Sequence, residues 1–395
     1  MFSLSQKKRI IYIIAGLLGF AILGFAGYRY LLPAFVSKKP AGQEGVSGSV
    51  RIPPAASLGQ EPADTGKTPP TAEPTLPPEE QRLTRITDFP VISPSLNKAE
   101  DKILFYKKDG GDLLSSDFRG QNQEKISNLT IIGLLDAVWS PAHDRAAVFY
   151  LDQETIKGFL HIGTSSVAVL PQNITSADWS PDGKSLAFGV KTNNALTIGT
   201  VDSSGKNQKM LTALPLPDAQ IEWVTPDLIS LTTAPSGFAE GFIFTYSRST
   251  GALTRILGPF LGLTTTWAPN TPVFFASATR EAGKRLGASI REVPGKFLSA
   301  FPATIAQKCA WADVNLIYCA VPRSIPESVS LPDDYMRGEF NSSDRIISFD
   351  RVKKETKEVL NEGNFDMENL VTTKDKKFLF FVSRIDGTLW SLKLE

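Results

Sequence analysis

The clearest indication of the fold is the sequence Asp178-Trp179-Ser180-Pro181-Asp182-Gly183-Lys184, which is followed by Leu186-Ala187-Phe188. In this stretch a strand ends at the tryptophan, and the proline fixes φ at the start of a turn. Asp-Gly then supplies the left-handed position that closes a hairpin. The next residues are apolar on both faces, which is typical of a strand that is covered on both sides. The stretch therefore predicts a tight hairpin with a buried second strand.

The tryptophan of this stretch belongs to a series with nearly constant spacing. Five of the six tryptophans are separated by 40, 44, 44 and 44 residues; they are Trp139, Trp179, Trp223, Trp267 and Trp311. Degenerate copies of the turn stand on either side of the series, at residues 91–94 and 370–375. A period of this length indicates a repeat architecture, and the sequence contains seven copies.

Each copy continues with a weaker hairpin around a polar turn, as at residues 200–211 and 248–257. Four short strands per copy, with a buried second strand and a polar outer hairpin, are typical of a β-propeller blade. We therefore predict an all-β fold, a seven-bladed β-propeller of four-stranded antiparallel blades over residues 82–395, with the repeated tryptophans as blade anchors. We expect residues 82–87 to pair with the last blade and to close the ring. An open solenoid of β-units is the alternative, but it would need polar caps.

The motif at residues 180–184, with the apolar strand after it, resembles the repeat of TolB-like, WD-type propellers. The resemblance covers about residues 82–395 and is strongest in the middle of that range; the strict Trp-Asp dipeptide is absent. It implies protein–protein contact, although a fold does not determine a function. The best-known members are soluble periplasmic proteins with a second domain, so the N-terminus of this chain departs from the family.

The N-terminal region predicts attachment to a membrane. Residues 1–9 form a basic stub with Lys7, Lys8 and Arg9, and residues 10–28 contain no charge. Nineteen helical residues span roughly 28 Å, close to the thickness of a bilayer core. We predict a transmembrane signal anchor at residues 10–32, a cytoplasmic stub and an extracytoplasmic C-terminal domain in the cell membrane. A cleaved signal peptide is the alternative, but its apolar stretch would be shorter.

Residues 33–81 predict a disordered, Pro-rich stalk. Nine prolines and no aromatic residue lie between Ser37 and Gln81. Such a segment cannot bury enough apolar surface to offset the entropy of ordering it. We interpret it as a spacer that holds the propeller away from the bilayer.

Composition argues against several classes of function. The net charge is +1, from 42 Lys and Arg against 41 Asp and Glu, so a general nucleic-acid binder is not expected. His143 and His161 are the only histidines, which argues against a histidine-built metal site or a catalytic triad. Phosphate-binding and dinucleotide-binding motifs are absent as well. We predict no catalytic residues, no metal ligands and no cofactor.

The period is broken once, by an insertion at residues 322–344 in the sixth blade. Loops on rigid scaffolds often carry function, so the insertion is a candidate partner-binding loop, against the alternative of a tolerated surface insertion. Its candidate contact residues are Asp333, Asp334, Tyr335, Arg337 and Phe340. Cys309 and Cys319 lie on the two strands of one hairpin, where they can form a disulfide or remain two buried thiols.

Three acidic residues adjoin the repeated tryptophans on the predicted innermost strands: Asp136, Asp178 and Glu222. They lead to two hypotheses of function. The first is a membrane-anchored, non-catalytic scaffold that binds a protein or an envelope polymer of unknown identity. The second is a glycan hydrolase or lyase that uses these carboxylates, which would require two of them to face each other across a cleft.

Overall fold

The computed structural model describes residues 81–163, 166–192, 195–216 and 218–394. Its first thirteen strands are β1 (Leu83–Arg85), β2 (Val91–Leu96), β3 (Ile103–Lys107), β4 (Leu113–Ser116), β5 (Glu124–Lys125), β6 (Leu134–Trp139), β7 (Arg145–Asp152), β8 (Thr155–Ile162), β9 (Ser166–Val169), β10 (Ile174–Trp179), β11 (Ser185–Lys191), β12 (Leu196–Asp202) and β13 (Lys209–Leu214).

The later elements are β14 (Ala219–Trp223), β15 (Leu228–Thr233), β16 (Glu240–Ser247), β17 (Leu253–Trp267), β18 (Val273–Arg280), β19 (Arg285–Glu292), β20 (Lys296–Phe301), a 3₁₀ turn (Ala306–Lys308), β21 (Cys309–Trp311), β22 (Leu316–Pro322), helix α1 (Asp333–Met336), β23 (Asp344–Asp350), β24 (Glu355–Leu360), β25 (Met367–Thr372), β26 (Phe378–Ser383) and β27 (Leu389–Lys393).

The strands form antiparallel sheets in which neighbours along the chain are neighbours in space. Five sheets have four strands each, and they comprise β2–β5, β6–β9, β10–β13, β21–β24 and the order β1-β27-β26-β25. A sixth sheet contains the seven strands β14–β20. The predicted all-β class with four-stranded antiparallel sheets is therefore confirmed.

Strand β17 explains the seven-stranded sheet. Its first part pairs with β16, from Leu253 opposite Tyr246 onward, and its last part pairs with β18, ending with Trp267 opposite Phe274. One continuous strand thus serves as the outer strand of one group of four and the first strand of the next. The sequence predicts two separate strands here, at residues 254–257 and before Trp267. The number of blades stays a prediction.

The repeated turn has the geometry that its residues predict. Gly183 has φ +67°, and its N–H donates to the carbonyl of Ser180 at 2.7 Å. The Ser180 hydroxyl donates to the Asp182 carboxylate at 2.7 Å and accepts the N–H of Ser185 at 3.0 Å. The second strand that follows, β11, is buried over residues 186–189. All of these hydrogen bonds lie within residues 180–185, so the turn is stabilised by its own local sequence.

The hydrophobic core lies between adjacent sheets. One cluster joins Phe149 and Leu160 of the β6–β9 sheet to Trp179, Leu186 and Phe188 of the β10–β13 sheet. Further clusters of the same kind lie at the other contacts between neighbouring sheets. Because every sheet buries both faces, its second strand is apolar on both sides.

The two ends of the described chain meet in one sheet. β1 pairs with β27, with Leu83 opposite Leu392 and Arg85 opposite Trp390, and the Ile86 N–H donates to the Leu389 carbonyl at 2.8 Å. The expected pairing of residues 82–87 with the last strands is thus present. The predicted stub, anchor and nearly all of the stalk, residues 1–80, lie outside the described residues. Among those that are described, no helix has the length and apolar character needed to cross a membrane.

Candidate functional site

The five repeated tryptophans each occupy the last position of a strand, where three of them link neighbouring sheets. Their indole Nε1 groups donate to backbone carbonyls of the preceding sheet: Trp139 to Ser93 at 2.8 Å, Trp179 to Val138 at 2.9 Å and Trp311 to Thr266 at 3.3 Å. Val138 and Thr266 themselves precede a repeated tryptophan. These contacts account for tryptophan at three of the five positions.

Asp178 and Glu222, which directly precede Trp179 and Trp223, link neighbouring repeats through their side-chain carboxyl groups. The Asp178 carboxylate accepts the N–H of Trp179 at 2.9 Å and the N–H of Trp223 at 2.7 Å. The Glu222 carboxylate accepts the N–H of Trp267 at 3.2 Å and the Thr265 hydroxyl at 3.1 Å. In both cases the side chain spans to the next repeat, so each carboxylate ties two first strands together.

In the part of the chain that the structure describes, these two kinds of link do not occur together at one junction between repeats. Trp223 and Trp267 follow the acidic residues by one repeat, and their buried indole Nε1 groups have no hydrogen-bond partner among the described residues. A buried polar group without a partner costs free energy. The backbone N–H groups of the same two tryptophans donate instead to the carboxyl groups of Asp178 and Glu222.

Burial changes the acidity of this pair. It raises the pKa of Asp178 to about 7, against the effect of the two tryptophan N–H groups that bind the carboxylate. Burial also raises the pKa of Glu222 to about 8, and the nearby Asp178 adds to that rise. Two carboxyl groups that titrate near neutrality can hold or release a proton at physiological pH.

A cavity of about 500 Å³ connects the three predicted acidic residues. Asp136, Asp178 and Glu222 line it together with Gln220 and Gln307, and its apolar lining residues include Val138, Phe149, Ile156, Ile174 and Ile221. Asp136 is exposed and accepts the Ser93 hydroxyl at 2.6 Å. A second cavity of about 230 Å³ is also lined by Asp178 and Glu222. Across the described ranges, no group of three His, Cys, Asp or Glu side chains could hold a metal ion.

The insertion joins β22 to β23 and is held by hydrogen bonds to two connections of the seven-stranded sheet, β15–β16 and β18–β19. Asp333 accepts the Ser236 hydroxyl at 2.8 Å and the Gly237 N–H at 2.6 Å. The Leu331 N–H donates to the Gly283 carbonyl at 3.0 Å, and Lys284 donates to the Ser328 carbonyl at 2.7 Å. The insertion therefore behaves as a strap across neighbouring strand groups rather than as a free loop.

Some of the candidate contact residues in the insertion are buried and others are exposed to solvent. Tyr335 is buried, and Phe340 packs against the small cluster around Tyr335 and Leu331. Asp334 accepts the Ser330 N–H at 2.7 Å and also pairs with Arg337, whose side chain is 53% exposed. Of the five predicted residues, Arg337 is the one most available to a partner, and Met336 beside it is also exposed.

Lys308 forms a buried charge cluster beneath the strap, which the sequence analysis missed. Its Nζ lies 2.7 Å from Asp344 and 2.5 Å from Asp366, and all three side chains are at most 1% exposed. Tyr335 donates its hydroxyl to Asp366 at 3.2 Å, and its ring lies against Lys308 and Arg384. Burial raises the pKa of Asp344, and the Lys308 ammonium opposes that rise. The partners are 36 and 58 residues from Lys308, so no local pattern could have revealed them.

The two histidines lie within hydrogen-bond distance of neighbouring hydroxyl groups, and the two cysteines are bonded to each other. His161 is buried, and its Nδ1 is 2.8 Å from the Tyr106 hydroxyl, while His143 lies 2.9 Å from the Ser95 hydroxyl. Burial lowers the pKa of both histidines. Cys309 and Cys319 stand directly opposite each other on β21 and β22 and are joined by a disulfide.

Comparison with known proteins identifies the fold of this chain but no family. No family model and no curated protein matches the chain. Among solved structures, an oligogalacturonate lyase in complex with manganese matches with a TM-score of 0.59 and 12% identity, over 81% of this chain and 92% of that one. The β-propeller domain of the Trilobed protease from Pyrococcus furiosus matches with a TM-score of 0.51 and 12% identity, over 78% and 96%.

TolB from Acinetobacter baumannii also matches, with a TM-score of 0.43 and 15% identity over 77% of this chain and 63% of that one. Identities this low bear on the fold alone. The chain has a β-propeller fold, as the two matches with TM-scores above 0.5 show, and this is the fold that the resemblance in its repeats implies.

Proposed function

We propose that this chain is a membrane-anchored, extracytoplasmic β-propeller of seven blades that acts as a non-catalytic scaffold for a protein or an envelope polymer. Seven blades follow if the seven-stranded sheet is divided at β17, because β14–β17 and β17–β20 then each supply four strands. Residues 10–32 attach it to the membrane, and residues 33–81 serve as the spacer.

The observation that carries the binding function is the state of the predicted acidic residues. Both oxygens of Asp178 and both oxygens of Glu222 accept hydrogen bonds from the protein itself. A catalytic carboxylate must reach the substrate proton that it transfers. Carboxylates that join strands in this way favour a rigid scaffold over an active site.

The disulfide supports the extracytoplasmic placement. Cys309 and Cys319 are the only cysteines in the chain, and they are bonded to each other. Disulfides persist in oxidising compartments and are rare where thiols are kept reduced. This agrees with the orientation that the basic stub predicts, with the propeller outside the cytoplasm.

Photo-crosslinking of the full chain in its native membrane tests the scaffold function. A photoreactive amino acid is placed at Met336, which is 44% exposed beside Arg337, and at Val352 as the matched control, which is 68% exposed on the turn after β23. We expect a discrete crosslinked product from position 336 and none from position 352. Absence of a product from position 336 would contradict binding through the strap.

The alternative is a glycan hydrolase or lyase, and the raised pKa values of Asp178 and Glu222 favour it. Groups that titrate near neutrality suit general acid and base roles, and both line the cavity of about 500 Å³. The test is whether the purified full chain cleaves an acidic polysaccharide. Cleavage is measured as the release of reducing ends. Turnover that is lost in both Asp178→Asn and Glu222→Gln would establish the enzyme, and absence of turnover would contradict it.

A further inference from the structure

A surface cleft along β17–β20 has a floor of small residues. Its volume is about 390 Å³. Ala276 and Ala278 of β18 lie opposite Ser289 and Gly287 of β19, and alternation along the strands puts all four on one face. A Cβ atom added at Gly287 would have no neighbour within 4 Å. The small side chains and the missing side chain at Gly287 leave the floor of the cleft open.

The walls of the cleft are apolar and partly exposed. Leu257 and Phe260 of β17 form one side, and Phe297 of β20 forms the other. Phe260 is 39% exposed and Phe297 is 56% exposed, so large aromatic surfaces face solvent next to the floor. Exposed aromatic residues beside arginine are typical of protein interfaces.

Three arginines line this cleft, and no acidic residue does. Arg280 and Arg285 face each other at the β18–β19 turn, and Arg291 lies six residues further along β19. Arg285 pairs with Glu281, but both side chains are more than half exposed, so this pair is weak. Arg280 makes no ion pair within the described part of the chain. The cleft therefore carries positive charge at both ends, about 20 Å apart along the strand.

Arg291 is a half-buried cation whose contacts are all uncharged. It donates to the Ser289 hydroxyl and to the Gly295 carbonyl, each at 3.0 Å, and it lies over the Phe297 ring. Burial lowers the pKa of Arg291, and no nearby acid opposes that effect. Since an arginine remains charged, it lacks an anion that would compensate for its partial desolvation.

We propose that this cleft binds an extended segment of a partner protein that has acidic residues at both ends and apolar residues between them. This inference rests on the binding function proposed above and names the chemistry of one partner. The arginines pair with the acidic ends, and the apolar centre lies on the small floor between Phe260 and Phe297. A segment of six or seven extended residues spans about 20 Å, which matches the separation of the charges.

A neutral polysaccharide fits the cleft less well because the lining hydroxyl groups offer its own hydroxyl groups few hydrogen-bond partners. Ser277 is already bonded to Thr264 at 2.7 Å, and Ser289 is bonded to Arg291. Thr279 directs its hydroxyl oxygen toward Gly262, on the opposite face of β18. The lining hydroxyl groups are therefore engaged or turned away, whereas apolar surface and charge are available.

The test is fluorescence anisotropy with the full chain in detergent. The probe is a labelled nonapeptide with two aspartates at each end and alternating leucine and serine between them. Arg280→Gln/Arg285→Gln should weaken binding at least about tenfold, since two charge-assisted contacts are lost. The control Lys353→Gln/Lys357→Gln removes two exposed cations elsewhere. It should leave the dissociation constant within about twofold, because neither lysine lines the cleft.

A second variant tests the floor without touching the arginines. Gly287→Leu fills the open space and should abolish binding while the melting temperature stays within a few degrees. Equal binding by Gly287→Leu and the unchanged protein would overturn the proposal, as would binding of polygalacturonate or anionic vesicles but not of the peptide. The scaffold function is judged separately by the crosslink at Met336, so the cleft can fail while that function stands.

Discussion

Lys308 illustrates how one side chain can join the strap to two sheets. Its ammonium group is shared by Asp344 at the start of β23 and Asp366 just before β25. A buried charge requires full compensation, and two carboxylates with one ammonium and the nearby Arg384 supply it. The arrangement is specific because no single partner could be removed without leaving a charge unpaired.

Replacing Lys308 tests this arrangement at the scale of one residue. Lys308→Met leaves two carboxylates in the protein interior without their ammonium partner, so we expect a loss of about 3–5 kcal/mol in the free energy of unfolding. Urea denaturation measures it. The control Lys357→Met removes an exposed ammonium and should cost less than about 1 kcal/mol. A similar loss for both variants would contradict a special role for Lys308.

The raised pKa values of Asp178 and Glu222 make a prediction about pH. Because the folded protein holds these protons up to about pH 7 and about pH 8, it binds more protons than the unfolded chain between about pH 4 and 8. These two groups therefore decrease the free energy of unfolding as the pH rises through this range, whereas His143 and His161, whose pKa values burial lowers from 6.5, increase it as the pH rises toward that value. Asp144, whose pKa is lowered to about 2 by Arg145, acts in the opposite direction only at lower pH.

Urea titrations at pH 4, 6 and 8 measure this slope. The double variant Asp178→Asn/Glu222→Gln cannot take up the two protons, so its free energy of unfolding should fall less, or rise more, between pH 4 and 8 than that of the unchanged protein. Asp109→Asn, on an exposed turn, serves as the control and should keep the slope of the unchanged protein. An undiminished slope in the double variant would show that other groups cause the pH dependence.

At the scale of elements, hairpins were predictable and the strap was not. The turn at residues 180–184 follows from proline, aspartate and glycine within five positions, and the apolar second strand follows it directly. The strap lies where the period breaks, so its position was visible. Its contacts were not, because Asp333 meets Ser236 and Gly237 almost a hundred residues away. Burial of Tyr335 likewise depends on side chains from other sheets.

The disulfide between Cys309 and Cys319 joins the two strands of the β21–β22 hairpin covalently. It closes a loop of about ten residues, for which the entropy of the unfolded chain predicts a contribution of roughly 2–3 kcal/mol. We expect reduction by dithiothreitol to lower the free energy of unfolding by up to this amount. Cys309→Ala/Cys319→Ala should show no response to the reductant. Free thiols in the folded protein isolated from its native membrane would contradict the bond.

At the scale of the whole molecule, the meeting of β1 with β27 decides how the propeller unfolds. Each sheet buries its faces against two neighbours, so a ring held together at this sheet leaves no edge from which blades can separate. Ile86, which follows β1, is 4% exposed and packs with Phe105 and Leu389. A repeat array with free ends would instead lose its terminal units one by one.

The variant Ile86→Asp tests this closure. A carboxylate placed among Phe105 and Leu389 cannot be solvated, so it should detach the closing strand and lower the stability of the entire propeller. We expect one cooperative transition shifted by more than about 2 kcal/mol, detected alike by tryptophan fluorescence and circular dichroism. The control Ile385→Asp changes an isoleucine that is 52% exposed and should shift the transition by less than about 0.5 kcal/mol. If Ile86→Asp instead produced an early transition of small amplitude with the main one unchanged, the blades would unfold independently, and β1 would be an addition to the fold rather than its closure.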